Sequence, residues 1–542
     1  MAVSSVDLRR FPGIRRLAAD YAYDFPRVAP FFAGDPRDRA AWDAAVSRAQ
    51  AHSRRRADLV GILRAQQHRR AAPAAAIDAA RQLADPRAVA IVTGQQAGLF
   101  GGPLFTLFKA VTALKLAERV ARDHEVPATA VFWIDAEDHD WDEVRSCTVL
   151  DETLGPRTVS LPRAGARSTV PVGSVRLDRS IEESLAELEQ ALPATEFRAG
   201  LVDALRAAYA PGTSMSDAFA RWLEHVLGPR GLVVYDSSDP AAKPLVSQVF
   251  GRELSAPGTA AALALGAGAD LEARGYHAQV RPDRSSVSLF RLGEDGGRHA
   301  IRVDDGAFVV GEAPVSGDAL RREASEHPQR FSPNVLLRPL VQDAIFPTVC
   351  YVPGPNELGY LAQLRGVYEQ FEIPMPLMFP RCSATLVDSA AARFLAKHGL
   401  PLEALQAQDE AALNTLLERE IPPDVDASFA AAGGALDREM TRLIETMPGV
   451  DPTLEGAARS TLKRMQHDLE TLHGKVLHAV KRRHETLRRQ FLRTQALVFP
   501  DGHAQERAIG FVSFLNLHGP ALVDRIASDL PLDPGQHFLI TI

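Results

Sequence analysis

Residues 88–144 constrain the fold more than any other part of this chain. A β-branched run, AVAIV, leads into a turn with four glycines in nine residues. A long helix-like stretch, LFTLFKAVTALKLAERVARDH, follows, and then a second apolar run, ATAVFWI. Strand, turn, helix and strand in that order make a βαβ unit. Its two strands lie parallel, because the helix is the crossover that parallel neighbours require. The expected fold class is therefore α/β, a parallel sheet covered by helices. GLVVYD at 231–236 reads as a further core strand. NVLLRPLVQDAIFPTVCYV at 334–352 reads as a buried helix or strand pair feeding the same core.

The flanks differ from this core. Residues 1–85 read as helical, with Arg/Ala-rich runs. Residues 145–185 and 274–312 alternate polar and apolar positions between Gly, Pro and Asp turns, which predicts two β-rich insertions. From about 385 the chain turns helical again. Apolar residues fall at Phe429, Leu436, Met440, Leu443 and Met447, then after Pro448-Gly449 at Leu462, Met465, Leu469, Leu472, Val476 and Ala479. Spacings of three and four make a heptad seam, and two such helices joined by a tight turn predict an antiparallel coiled-coil hairpin. A chain of 542 residues holds about three or four units at roughly 150 residues each. The expected division is a core over 1–384 with insertions at about 145–230 and 255–330, a helical arm over 385–498, and a segment 499–542 that returns to the core.

Bulk properties remove several classes of function. A net charge of −7 gives no general drive toward nucleic acid or anionic membrane. No stretch approaches the ~20 apolar residues of a membrane span, and the first residues carry no signal-like apolar region. The 3 cysteines form no CxxC pair, so a reducing, cytoplasmic setting is expected. Cys350 and Cys382 read as small buried hydrophobes.

Three stretches carry candidate chemistry. In TGQQAGLFGGPLFTLFK, the glycines Gly94, Gly98, Gly101 and Gly102 let the backbone turn sharply beside Thr93, Gln95 and Gln96, and the helix start favours an anionic group. The stretch is neither a Walker A loop nor a GxGxxG fingerprint. Lys109, near the second helical turn, either reaches back toward a phosphate or carboxylate or lies solvated. In FWIDAEDHDWDEV, seven titratable residues from Asp135 to Glu143 follow the second strand. Ligands bind beyond the carboxyl ends of parallel strands, so this cluster and the glycine turn are expected to share a crevice. Asp138 and His139 suit general-base work there; the alternatives are a cation site or a charged helix start. In PNVLLRPLVQDAIFPTVCYVPGPNELGYLAQL, Arg338 within an apolar run needs a structural acid or a ligand, and Asn356 and Glu357 stand on a rigid turn.

These three stretches, with the following MPLMFPRCSATLVD and FPDGHAQER near residue 500, resemble the bacillithiol biosynthesis cysteine-adding (BshC) family and run in family order from about residue 90. The resemblance implies a Rossmann-like core with two connecting insertions, and a coiled-coil domain through which subunits form a homodimer. It implies a ligase that joins cysteine through its carboxyl group to the amino group of glucosaminyl-malate. Amide formation from a free carboxylate needs activation, so ATP with Mg²⁺ is the expected activator. The family core looks like that of class I nucleotide-dependent ligases, yet the chain has neither HIGH nor KMSKS. On this reading Asp138 and His139 act on the substrate amine, Lys109 and the glycine turn hold a phosphate or carboxylate, and Arg338, Asn356 and Glu357 orient the malate or the cysteine.

Two other readings stand beside it. The acidic cluster suits a metal-dependent hydrolase, although a zinc site lacks HExxH. Segment 455–495, with ten Lys/Arg against four acidic residues, suits RNA binding, although aromatics for base stacking are nearly absent.

Overall fold

The structure, a computed structural model, describes residues 3–162, 169–419 and 423–542. Its centre is a five-stranded sheet assembled from β1 (Val89–Gln95), α1 (Leu104–His124), β2 (Ala128–Ile134), β3 (Val233–Asp236), α2 (Arg338–Ile345), β4 (Thr348–Val352) and β5 (Leu377–Met378). The strand order is β5-β4-β1-β2-β3, and every neighbouring pair is parallel. That is a Rossmann-like sheet. Helices cover both faces, which is why AVAIV and most of ATAVFWI are buried without alternation. The 334–352 run, open between helix and strand in the sequence, resolves as α2 leading into β4, with Pro347 between them.

Chain order reverses between β1 and β4. Successive strands go one way from β1 to β3, whereas β4 and β5 lie on its other side. The crevice at such a switch point is where open α/β sheets bind ligands. Gln95 and Val352 end the two strands that flank it.

The first insertion has less strand and more helix than the alternation predicts, whereas the second is β-rich as expected. The first holds one hairpin, Ser146–Leu150 with Pro156–Ser160, and then the helices Ser180–Ala191, Arg198–Ala208 and Met215–Leu227. Residues 163–168 of that stretch lie outside the described residues. The second carries an antiparallel sheet ordered 313–315, 307–310, 298–304, 286–292 and 331–333. The helical reading of residues 1–85 also misses a strand. Val3–Asp7 pairs antiparallel with Gln536–Thr541 in a three-stranded sheet completed by Ser383–Val387. VSSVD has no strong pattern of its own, and pairing more than 500 positions away creates it.

By packing, Met1–Leu386 with Gln505–Ile542 form one compact unit and Val387–Ala504 another. In the second unit the helices Pro423–Thr446 and Leu454–Arg483 run antiparallel. Gln466 donates to Asp437 at 2.8 Å, and His473 packs on Phe429 with ring centroids 5.0 Å apart. Most of the heptad positions, among them Phe429, Leu436, Met440, Leu462, Leu469 and Val476, are partly buried, with exceptions. Ile444 and Ala458 are buried, whereas Leu443, Met465 and Leu472 are 47%, 43% and 51% exposed. Gln466 and His473 reach the facing helix from partly exposed positions that a purely apolar heptad assignment passes over. Among the described residues no helix is long and apolar enough to cross a membrane.

Candidate active site at the sheet switch point

The floor of the crevice is the end of β1. Thr93 donates through Oγ1 to the Val352 carbonyl at 2.9 Å, stitching β1 to β4. Gly94 is required by proximity, since a Cβ there would lie 2.8 Å from the Trp133 carbonyl oxygen. The glycine turn beyond it is occupied by its own chain. The Gly101 amide donates to the Gly98 carbonyl at 3.0 Å and to the Tyr209 hydroxyl at 3.2 Å. The Gly102 amide donates to Leu99, and the Leu104 amide, at the start of α1, to Ile509 at 2.8 Å. Gly101 has φ +96, and a Cβ on it would stand 2.4 Å from the Phe511 ring. Gly94, Gln95 and Gln96 line the cleft, but Thr93, Gly98, Gly101 and Gly102 lie behind it. Contrary to the sequence expectation, the turn is a close-packed corner and not a row of free amides.

Lys109 is not solvated; it is buried, and its ammonium donates to the Gly94 carbonyl at 2.7 Å, to Gln95 Oε1 at 3.0 Å and to Glu357 Oε1. All three of its protons are thereby used. Glu357 also accepts from the Gly354 amide at 2.7 Å and from the Tyr351 hydroxyl at 2.9 Å. Burial opposes both charges. The ammonium, the amide and the hydroxyl together still hold Glu357 below the ordinary carboxylate range. This pair ties the loop after β4 to the end of β1. Asn356 is exposed at the cleft rim.

The acidic run disperses. Glu137 is buried on Lys243, Asp140 caps the helix Trp141–Val144, and Asp142 pairs with Arg145 at 2.6 Å. Asp138 stays in the cleft, accepting from the Gln96 amide group on Oδ2 and from the His139 amide on Oδ1 at 2.7 Å. The His139 imidazole is about half exposed, with Nδ1 3.6 Å from Asp138 Oδ1. Asp135 faces Arg338, whose Nε is 3.9 Å away, and burial pushes its carboxyl above the ordinary range. Among the described residues no group of three or more His, Cys, Asp or Glu is arranged to hold a metal ion.

Arg338 opens α2 with a side chain only 12% exposed. It donates to the Tyr360 hydroxyl at 3.2 Å and to Gln342 Oε1 at 3.4 Å. Four further cleft residues escaped the sequence reading: Arg298, Tyr351, Arg381 and Arg507. Arg381 forms a two-pronged pair with Glu506, at 2.8 and 2.6 Å. Glu506 also accepts from Ser383 Oγ at 3.0 Å and from the Ala384 amide at 3.2 Å. His537 bridges Ser383 and Thr385 at 2.7 and 2.8 Å, and burial lowers its pKa to about 4. PRCSATLV and FPDGHAQER carried the only signal for these partners, an Arg and a Glu inside stretches otherwise notable for resemblance alone. Cys147, Cys350 and Cys382 are buried and free, and burial raises Cys147 to about 12 and Cys382 to about 11, so none is poised as a thiolate.

The resulting cleft encloses about 600 Å³. A Rossmann-like core with polar and charged side chains converging at its switch point defines an α/β protein built to bind small polar molecules. The chain belongs to the BshC family. Residues 1–382 match the model described as "Bacillithiol biosynthesis BshC, N-terminal Rossmann-like domain", and residues 384–542 match "Bacillithiol biosynthesis BshC, C-terminal coiled-coil domain". A protein of Salinibacter ruber named "Putative cysteine ligase BshC" is 36% identical over 531 residues, covering 97% of this chain and 96% of that protein. Proteins of the same name from Chlorobaculum tepidum (34% identical, 83% of this chain and 82% of that one) and Symbiobacterium thermophilum (32%, 97% and 98%) are also similar.

Proposed function

We propose that this chain is a ligase that forms a carbon–nitrogen amide bond between the carboxyl group of L-cysteine and the amino group of glucosaminyl-malate, yielding bacillithiol. The family and the name shared by its relatives support the reaction class. One observation carries the assignment to this cleft: a half-exposed imidazole, His139, with Nδ1 3.6 Å from Asp138, shares it with cationic side chains suited to anionic reactants.

An amine attacks only when neutral, so His139, beside Asp138, takes a proton from the substrate ammonium. The nitrogen lone pair then adds to the activated carboxyl carbon of cysteine. The C–N bond forms as the bond to the leaving oxygen breaks. Lys109 and Glu357 lock the two strand ends in place, with no lysine proton left for a ligand. Arg338 and Asn356 orient the carboxylates of the reactants.

Activation has to come from a co-substrate, and ATP with Mg²⁺ is the one the family resemblance implies. The glycine turn does not favour a phosphate cradle, because the amides of Gly98, Gly101, Gly102 and Leu104 are already donated within the chain; no step is assigned to it. The dispersed acids, each on a different partner, do not favour a metal-dependent hydrolase. We further propose that the exposed Leu443, Met465 and Leu472 lie in the contact of a homodimer formed through the coiled coil.

Mass spectrometry of purified protein with glucosaminyl-malate, cysteine, ATP and Mg²⁺, each omitted in turn, tests the reaction. A bacillithiol mass that needs both cysteine and glucosaminyl-malate is expected. Its absence from the complete mixture would sink the assignment.

A further inference from the structure

Arg298 carries no signal of a site residue in the sequence, yet its guanidinium is fixed in the cleft without a carboxylate partner. It begins the second strand of the insertion sheet, Arg298–Asp304. Its Nε donates to Ser332 Oγ at 3.1 Å and its Nη2 to the Pro333 carbonyl at 2.8 Å. Its guanidinium carbon stands 4.1 Å from the centroid of the Phe290 ring. None of these contacts neutralises it. Among the described residues no carboxylate lies within ion-pair distance of Arg298, and Arg338 has only Asp135 at 3.9 Å.

The acids that face Arg298 are Glu137, Asp135 and Asp138. Glu137 is committed to Lys243, and Asp138 to Gln96 and the His139 amide. Asp135 feels both arginines, and burial raises its pKa, so it balances neither fully. Both guanidiniums line the same cleft, and their close partners are a ring and neutral oxygens, with no carboxylate in a two-pronged pair. A guanidinium so placed suits a carboxylate ligand.

We propose that Arg298 and Arg338 form a two-arginine subsite for the malate dicarboxylate of the acceptor, and that Arg298 sets the requirement for its second carboxylate. This rests on the reaction proposed above. Its chemistry agrees with the layout. The amino group and the malate of the acceptor sit on neighbouring carbons of one sugar ring, so the base and the dicarboxylate subsite must be neighbours. Asp138 and His139 line the same cleft as the two arginines, and Asp138 is one of the acids that Arg298 faces. Arg381 has no such role, because Glu506 already takes both prongs of its guanidinium.

The test compares two acceptors on the full-length protein: glucosaminyl-malate, and glucosamine linked to lactate, which lacks one carboxylate. Wild-type protein is expected to favour the malate acceptor in kcat/KM by about 10²-fold or more, as loss of a charged hydrogen-bonded partner implies. Arg298→Met is expected to lose most of that preference through KM for the malate acceptor. Its kcat/KM for the lactate acceptor should stay within about threefold, and KM for cysteine and ATP should not move. Arg298→Lys should recover part of the preference. Equal losses on both acceptors, or a change confined to cysteine or ATP, would overturn the proposal. Calorimetric titration of free malate and lactate into wild type and Arg298→Met provides a readout that does not require turnover. If wild type ligates neither acceptor, the reaction is wrong. Tighter binding of malate than lactate, lost in Arg298→Met, would still support the subsite, and equal binding would overturn it.

Discussion

Two arginines on one cleft wall have opposite electrostatic situations. Arg381 is buried, doubly bonded to Glu506, and backed by Ser383 and the His537 bridge. Arg338 is nearly as hidden but has neutral partners and one acid at 3.9 Å. A buried charge needs a close partner or costs several kcal/mol. The Arg381 side is therefore a finished piece of architecture. The Arg338 side lacks such a close partner, and in our proposal an anionic ligand supplies it.

The largest effect expected from this contrast is on stability. Glu506→Gln leaves Arg381 unpaired and should cost about 3–5 kcal/mol in urea unfolding. Arg338→Met should cost no more than about 1 kcal/mol, since Asp135, already raised by burial, can take up a proton. Equal losses would break the comparison.

Acid adds a second cut. The pKa of His537 falls from 6.5 unfolded to about 4 folded. Between these values the unfolded chain binds more protons, so the contribution of His537 is complete above pH 6.5. It fades as pH drops toward 4, by roughly 3 kcal/mol in total. Asp343 works in the opposite sense. Burial lifts it from 3.8 to about 6, so the fold gains stability from its protonation as pH falls through that window. Comparing wild type with His537→Gln from pH 7 to 4 isolates the first term. The wild type should lose ground to the variant on acidification, and parallel curves would remove His537 from the account.

On the open side the readout moves to catalysis. His139→Ala should lower turnover by about 10²-fold. Being half exposed, it should change stability by no more than about 0.5 kcal/mol. A folded, fully active variant would take His139 out of the mechanism. The smallest effect expected is for Gln96→Ala, which releases Asp138 from one hydrogen bond and should slow turnover by less than about tenfold. A loss as large as that of His139→Ala would instead place Gln96 on the substrate.

Much of the fold was legible because its signals are local. AVAIV, the glycine turn, α1 and ATAVFWI announce a βαβ unit within about 50 residues, and the strand ends that carry Gln95, Asp135 and Asp138 follow from it. The heptad spacing points to the right hairpin and to most of its seam, with Leu443, Met465 and Leu472 among the exposed exceptions. A heptad count ranks Leu443 above Ile444 and ignores Gln466 and His473, although packing decides among neighbours one position apart. The strand Val3–Asp7 was missed because only its distant partner makes it one.

The site divides in the same way. The sequence by itself determined which residues stand at the ends of parallel strands, and so which crevice they share, because βαβ geometry leaves little choice. Only the tertiary structure decided which charges are already satisfied. Lys109 meets Glu357 across 248 positions and Arg381 meets Glu506 across 125. Arg298 comes to the cleft on an insertion that no local pattern ties to the core. A carboxylate that neutralises a cation and one that is free to work look identical in a sequence. Distance and desolvation separate them, and both are properties of the folded chain.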